Sequence, residues 1–115
     1  MKLSVIIPCY NEAQDINVKA HEVLKKLHTL SIDTELILVN DGSKDATDEV
    51  IHSIEGVIPS GYPVNKGKGG AVQKGIQDAT GDFILFMDAD LSTTPTNKAA
   101  FCWLFYWNFA IFVVT

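Results

Sequence analysis

Arginine is absent from the 115 residues, so all nine basic side chains are lysines. An anion here must be held by ammonium groups, backbone N–H groups or a metal, without a bidentate guanidinium fork. Acidic residues outnumber basic ones, 14 to 9, and the net charge of −5 argues against a general nucleic-acid binder. Cysteine is scarce. Cys9 and Cys102 stand far apart, without metal-ligand or Cys-x-x-Cys spacing, which fits reduced thiols in a cytosolic setting. No basic region and cleavage site precede the first apolar run, so no signal peptide is expected. The first strand-to-helix turn, Pro8-Cys9-Tyr10-Asn11-Glu12, has no glycine, which disfavours the dinucleotide fingerprint. The Lys/Gly loop from Asn65 to Gly70 lacks the Gly-Lys-Ser/Thr ending of a Walker A motif.

What is present is a globular pattern, 47% hydrophobic and 20% charged, long enough for one domain with a real core. Leu3 to Ile7 reads as a strand stopped by Pro8. Asn11 then reads as a helix N-cap, with Gln14 at capping-box distance and a helix running to about Leu30. Glu35 to Val39 is the second strand. A second helix follows, with Ser43 or Asp45 as its cap. Gly56 to Pro63, with two prolines and two glycines, leaves room for a stub of edge strand. A third helix opens at the Lys/Gly loop, with Ala71, Val72, Gly75, Ile76 and Ala79 on one face and Gly81 as its C-terminal stop. Phe83 to Met87 is a continuous apolar run, as a strand buried on both faces requires. Strands alternating with helices across short loops predict a doubly wound, mostly parallel α/β sheet.

Such a sheet gathers its chemistry at the carboxyl ends of the strands. Asp88 and Asp90 follow the last strand, two apart, so that both carboxylates aim at one spot. Paired hard oxygens suit Mg²⁺ or Mn²⁺, which commonly take phosphates as further ligands. Taken alone, Asp-x-Asp fits a solvated acidic turn equally well. Three loops, Pro8 to Glu12, Asp41 to Ser43 and Asp88 to Ser92, would converge at one edge, with Asn65 to Gly70 as a fourth. In that fourth loop the glycines allow close backbone approach, the helix N-terminus favours an anion, and Lys66 and Lys68 add charge. His21, His28 and His52 have no partners at ligand spacing and read as solvated helix residues.

In order, the stretches SVIIPCYNE, LILVNDGSKDAT, NKGKGGAVQKGI and GDFILFMDADLSTTP resemble the nucleotide-sugar half of family-2 glycosyltransferases, which have the GT-A fold. Within that family the pattern is most similar to the polyprenyl- or dolichyl-phosphate hexose synthases, which move glucose or mannose from UDP or GDP onto a lipid phosphate. The resemblance implies that Pro8, Tyr10 and Glu12 contact the nucleoside and that Asp41 bonds the base. It places Lys68 near the donor and makes Asp88 and Asp90 the holders of the nucleotide phosphates through Mg²⁺ or Mn²⁺, hence the catalytic pair. It further implies a chain in the cytoplasm or on the cytoplasmic face of a membrane.

The chain departs from that pattern at three points. Gln73 stands where close members often carry Arg, and Ser92 where mannose-transferring relatives often carry Gln as a further metal ligand. Residues 1–98 form the expected domain, whereas 99–115 do not align with the family's longer continuation, so a truncated chain is expected. Seven of the eleven aromatics lie in that uncharged tail. As a helix its apolar stretch would reach about 24 Å, marginal against a bilayer core of about 30 Å. A buried core segment, a membrane contact through 99–115 and an aberrant end are the three readings it supports.

Overall fold

The computed structural model describes residues 1–87 and 111–113. Its elements run β1 (Lys2–Cys9), α1 (Ile16–Leu27), β2 (Asp33–Asp41), α2 (Thr47–Ser53), β3 (Ile58–Tyr62), α3 (Gly67–Asp78), β4 (Phe83–Phe86) and β5 (Ile111–Val113). The sheet order is β3-β2-β1-β4-β5. The first four strands are mutually parallel, and β5 joins β4 antiparallel at the edge, Ile84 opposite Phe112. The expected doubly wound sheet is therefore present. Of the 99–115 tail, β5 is the described part.

Burial explains the architecture. β1 is flanked by β2 and β4, and Val5, Ile6 and Ile7 are fully buried. Alternation splits the apolar side chains between two faces. Leu3, Val5, Ile7, Leu36 and Leu38 pack with Ile16, Ala20, Val23 and Leu27 of α1 and Ile51 of α2. Ile6, Ile37, Val39 and Ile84 pack with Ala71 of α3. Helix α3 lies so close to the sheet that a Cβ on Gly75 would come within 2.5 Å of Ile6 Cγ2. That contact explains a glycine in a helix interior, where it otherwise costs about 1 kcal/mol.

Three local expectations need correction. Pro8 does not stop β1, which pairs on through Cys9 opposite Asn40. Ile6 offers its carbonyl to Met87 N–H on the β4 side, and backbone direction alternates, so the donor missing at Pro8 falls on that same side. Among the described residues the β1–β4 ladder ends at Phe86, so no pair of that described ladder needs it. Helix α1 ends at Leu27, and Thr29 and Leu30 close as i→i−3 turns on Lys26 and Leu27. Gly81 is not a helix stop. It lets the backbone pass Ser4, whose Oγ would stand 2.5 Å from an added Cβ and accepts the Gly81 N–H at 2.8 Å.

Strand β3 is the expected edge stub, five residues long with Pro59 exposed within it. At the opposite end of the sheet from the loops considered below, Glu35 closes β2 onto β1 and the start of β4. Its carboxylate accepts Ser4 Oγ at 2.6 Å, Thr80 N at 2.8 Å and Thr80 Oγ1 at 2.9 Å, with Lys2 Nζ at 3.2 Å. Burial works to raise its pKa, but the hydrogen bonds from Ser4, Thr80 and Lys2 together hold it below the usual carboxylate value. The stability it contributes is therefore complete above its unfolded pKa, about 4.3, and is lost as pH falls toward its lower folded value. Glu35→Gln should cost about 1–2 kcal/mol in denaturant melts at pH 7. The difference from wild type should shrink as pH is taken below 4, and a constant difference would contradict the assignment.

Candidate active site

The site lies where β1, β2 and β3 end. Pro8 sits opposite Val39 on the sheet, and Asp41 is two residues further along the same face, the face covered by α3. Asp41 is buried at 4% exposure, and its carboxylate is a hub. Oδ1 accepts Tyr62 Oη–H at 2.5 Å and the Lys66 N–H at 2.8 Å. Oδ2 accepts Asn65 Nδ2–H at 3.0 Å, and that amide also reaches the Asp41 carbonyl. A carboxylate offers about four acceptor positions, so one on Oδ2 remains. Burial and the Asp41 charge push the Tyr62 phenol well above its ordinary pKa, and Lys66 Nζ lies 4.8 Å from the Tyr62 ring centre.

Gly42 makes this closure possible. Its φ is +65°, and a Cβ there would stand 2.2 Å from Asn65 N and 2.5 Å from Val64 C. Only glycine permits both the left-handed turn and the passage of the 63–66 loop across it.

On the other side, the Tyr10–Ala13 loop is bound to the β2–α2 segment. Asn11 is no helix cap: at φ +53° it donates its N–H to Ser43 Oγ at 2.9 Å and accepts Lys44 N–H on Oδ1 at 2.9 Å. Glu12 N–H reaches Thr47 Oγ1 at 2.8 Å, and Ala13 N–H reaches Asp45 Oδ2 at 3.3 Å. Neither expected cap, Ser43 or Asp45, is the N-cap of α2, which is Ala46; Asp45 instead takes the Thr47 N–H at 2.9 Å and the Thr47 hydroxyl as well. That hydroxyl is the main reason its carboxyl stays below the usual range. Asn40 Oδ1 accepts Ser43 N–H at 3.0 Å and completes the turn. Cys9, buried beneath the loop, has its thiol pushed up to about 12 by burial and then by the Glu12 charge, with Lys19 opposing.

The sequence-derived residues thus fall into two groups. Pro8, Tyr10, Glu12 and Asp41 stand at one rim, with Tyr10 exposed and Glu12 half-buried. Lys68 joins them in the first turn of α3, directly after the Asn65-Lys66 segment tied to Asp41. Asp88, Asp90 and Ser92 lie outside the described residues. The strand that runs into them ends at this same rim, where Met87 N–H bonds Ile6 O at 3.0 Å. Among the described residues no group of three or more His, Cys, Asp or Glu is arranged to hold a metal, and no helix is long and apolar enough to cross a membrane. Tyr62, Asn65, Ser43 and Thr47 were not singled out as site residues by the sequence. For Ser43 and Thr47 the signal was the density of short polar side chains in NDGSKDAT, and for Asn65 its place at the head of the Lys/Gly loop.

Likeness to solved structures makes this parallel α/β sheet a GT-A fold. The chain belongs to glycosyl transferase family 2, whose model matches residues 4–101. It is 36% identical over 95 residues to a prophage bactoprenol glucosyl transferase homolog of Escherichia coli K12, covering 79% of this chain and 31% of that protein. It is 41% identical over 104 residues to the dolichyl-phosphate beta-glucosyltransferase of Drosophila melanogaster, covering 81% and 32%. The chain therefore spans about a third of the length of these curated relatives. Among solved structures it is similar to Mycobacterium tuberculosis glucosyl-3-phosphoglycerate synthase in complex with Mn²⁺, UDP-glucose and phosphoglyceric acid. That match has a TM-score of 0.62 and 27% identity, and covers 77% of this chain and 33% of that one. Staphylococcus aureus TarS (residues 1–349) matches with a TM-score of 0.61 at 30% identity, covering 78% and 28%.

Proposed function

We propose that this chain binds a UDP- or GDP-hexose at the rim formed by β1, β2 and β3 and serves hexose transfer to a polyprenyl or dolichyl phosphate. The observation that carries the reading is the Asp41 hub, a buried carboxylate with one acceptor position left, seated between the Tyr10–Glu12 loop and the Lys66–Lys68 loop. Uracil and guanine each present a ring N–H that such a position could accept. Pro8, Tyr10 and Glu12 would border the nucleoside, and Lys68 would lie toward the phosphates.

Asp88 and Asp90 would hold Mg²⁺ or Mn²⁺, and a divalent ion so placed neutralises charge that develops on the departing nucleotide. In the transfer, the bond from the anomeric carbon to the nucleotide phosphate breaks and its electron pair leaves with the nucleotide. A new bond forms to an oxygen of the lipid phosphate. That oxygen is already anionic near neutral pH, so no strong general base is needed. Relatives named for dolichyl-phosphate and bactoprenol glucosyl transfer support this acceptor class, and a lipid acceptor would bring the chain to a membrane surface.

A second reading is donor and metal binding without transfer. Calorimetric titration of UDP and GDP with and without Mn²⁺, run beside a transfer assay on a polyprenyl phosphate, separates the two. Mn²⁺-dependent binding with turnover supports transfer. Binding without turnover supports the second reading, and no binding of either nucleotide defeats both.

A further inference from the structure

Three consecutive backbone amides, those of Asn11, Glu12 and Ala13, donate to three side chains of the β2–α2 segment: Ser43 Oγ, Thr47 Oγ1 and Asp45 Oδ2. None of the three amides takes part in helix α1, which begins at Ile16. The Glu12 backbone is fixed at both its polar groups, because its carbonyl also accepts the Asp15 and Ile16 N–H groups at 3.1 and 2.9 Å. Asn11 keeps a left-handed φ of +53°, a conformation asparagine adopts more readily than other non-glycine residues and that the Ser43 and Lys44 bonds here hold. Thr47 is the centre of the arrangement. It is fully buried, and its hydroxyl accepts from Glu12 while donating to Asp45.

From this we infer that Thr47, supported by Ser43 and Asp45, is a positioning residue for nucleotide binding, holding the Tyr10–Glu12 loop in its ligand-receiving shape before a ligand arrives. The inference rests on the proposal that Tyr10 and Glu12 border the nucleoside. A loop set in advance spends no binding free energy on ordering. The hydroxyl, rather than the bulk of the side chain, is what the tether requires. Valine at position 47 keeps the shape but leaves the Glu12 N–H without an acceptor and Asp45 without one donor.

The test compares Thr47→Val, Thr47→Ser and Ser43→Ala in the full chain. Nucleotide affinity is read by titrating UDP and GDP with Mn²⁺, and the loop by amide hydrogen exchange. Thr47→Val should weaken binding about tenfold and speed exchange at the Glu12 amide by a similar factor, the loss of one such hydrogen bond. The amides of Val5 to Ile7 should remain protected as in wild type, and Thr47→Ser should restore both readouts to within about threefold. Ser43→Ala should act in the same direction at the Asn11 amide, and it carries the test if the valine variant does not fold. Wild-type affinity in Thr47→Val despite faster exchange overturns the positioning role, and so does a serine variant as weak as valine. If Tyr10→Ala and Glu12→Ala both bind nucleotide like wild type, the nucleoside assignment fails and the positioning role with it. Faster Glu12 exchange in Thr47→Val would then still report the tether, so the two failures are told apart.

Discussion

Asp41→Ala should destabilise the chain by about 3 kcal/mol and weaken nucleotide binding by about 100-fold. The stability loss follows from the three donors that lose their acceptor together: Tyr62 Oη–H, Asn65 Nδ2–H and Lys66 N–H. All three bonds run into the buried Asp41 carboxylate and Tyr62 is half-buried, whereas Asn65 and Lys66 are exposed residues, so the unmet Tyr62 hydroxyl carries most of the cost. The binding loss follows because the 63–66 loop would no longer be fixed across Gly42, and the segment leading to Lys68 would lose its anchor. Asp41→Asn should fall between. Its carbonyl can still accept from Tyr62 and Lys66, but its amide nitrogen then faces the Asn65 amide, donor against donor. Denaturant melts and nucleotide titration check both variants. An alanine variant within about 0.5 kcal/mol of wild type would mean that the hub contributes little to the fold.

The second large effect belongs to Asp90. Asp90→Ala should abolish Mn²⁺-dependent nucleotide binding, a loss of about 100-fold or more, while leaving the melting temperature within about 2 °C of wild type. The contrast with Asp41 is informative, because one carboxylate is assigned to a ligand and the other to the scaffold as well. Unchanged Mn²⁺-dependent affinity would contradict the metal assignment, whatever the fold does.

The sheet was legible because burial leaves its mark on composition. Strands β1, β2 and β4 are flanked on both sides, and they appear as the apolar runs LSVII, ELILV and FILFM. The buried stripe Ile16, Ala20, Val23 and Leu27 carries helical spacing, and the prolines of GVIPSGYP announced a short edge strand. Polar roles were less legible, for a physical reason. Asn11, Ser43 and Asp45 were read as helix caps, and none of them is one, although each accepts a backbone amide N–H. Their partners are distant, since Asn11 and Ser43 find each other 32 residues apart in sequence. Gly81 was misread in the same way, as a local stop when it answers to Ser4, 77 residues away. Short side chains in loops obey local rules until a neighbouring strand brings them a better partner. Pro8 shows the converse, since its missing donor matters only where a neighbour would have used it. Of the site residues inferred from sequence, Asp88 and Asp90 lie outside the described residues, and their role rests on motif and resemblance.

The brevity of β3 has a consequence for the molecule's behaviour in a crowded solution. A sheet flank invites a passing polypeptide to zip onto it, and here that invitation is five residues long and interrupted by Pro59, which has no hydrogen to offer. The interruption at Pro59 therefore works against strand addition at this flank.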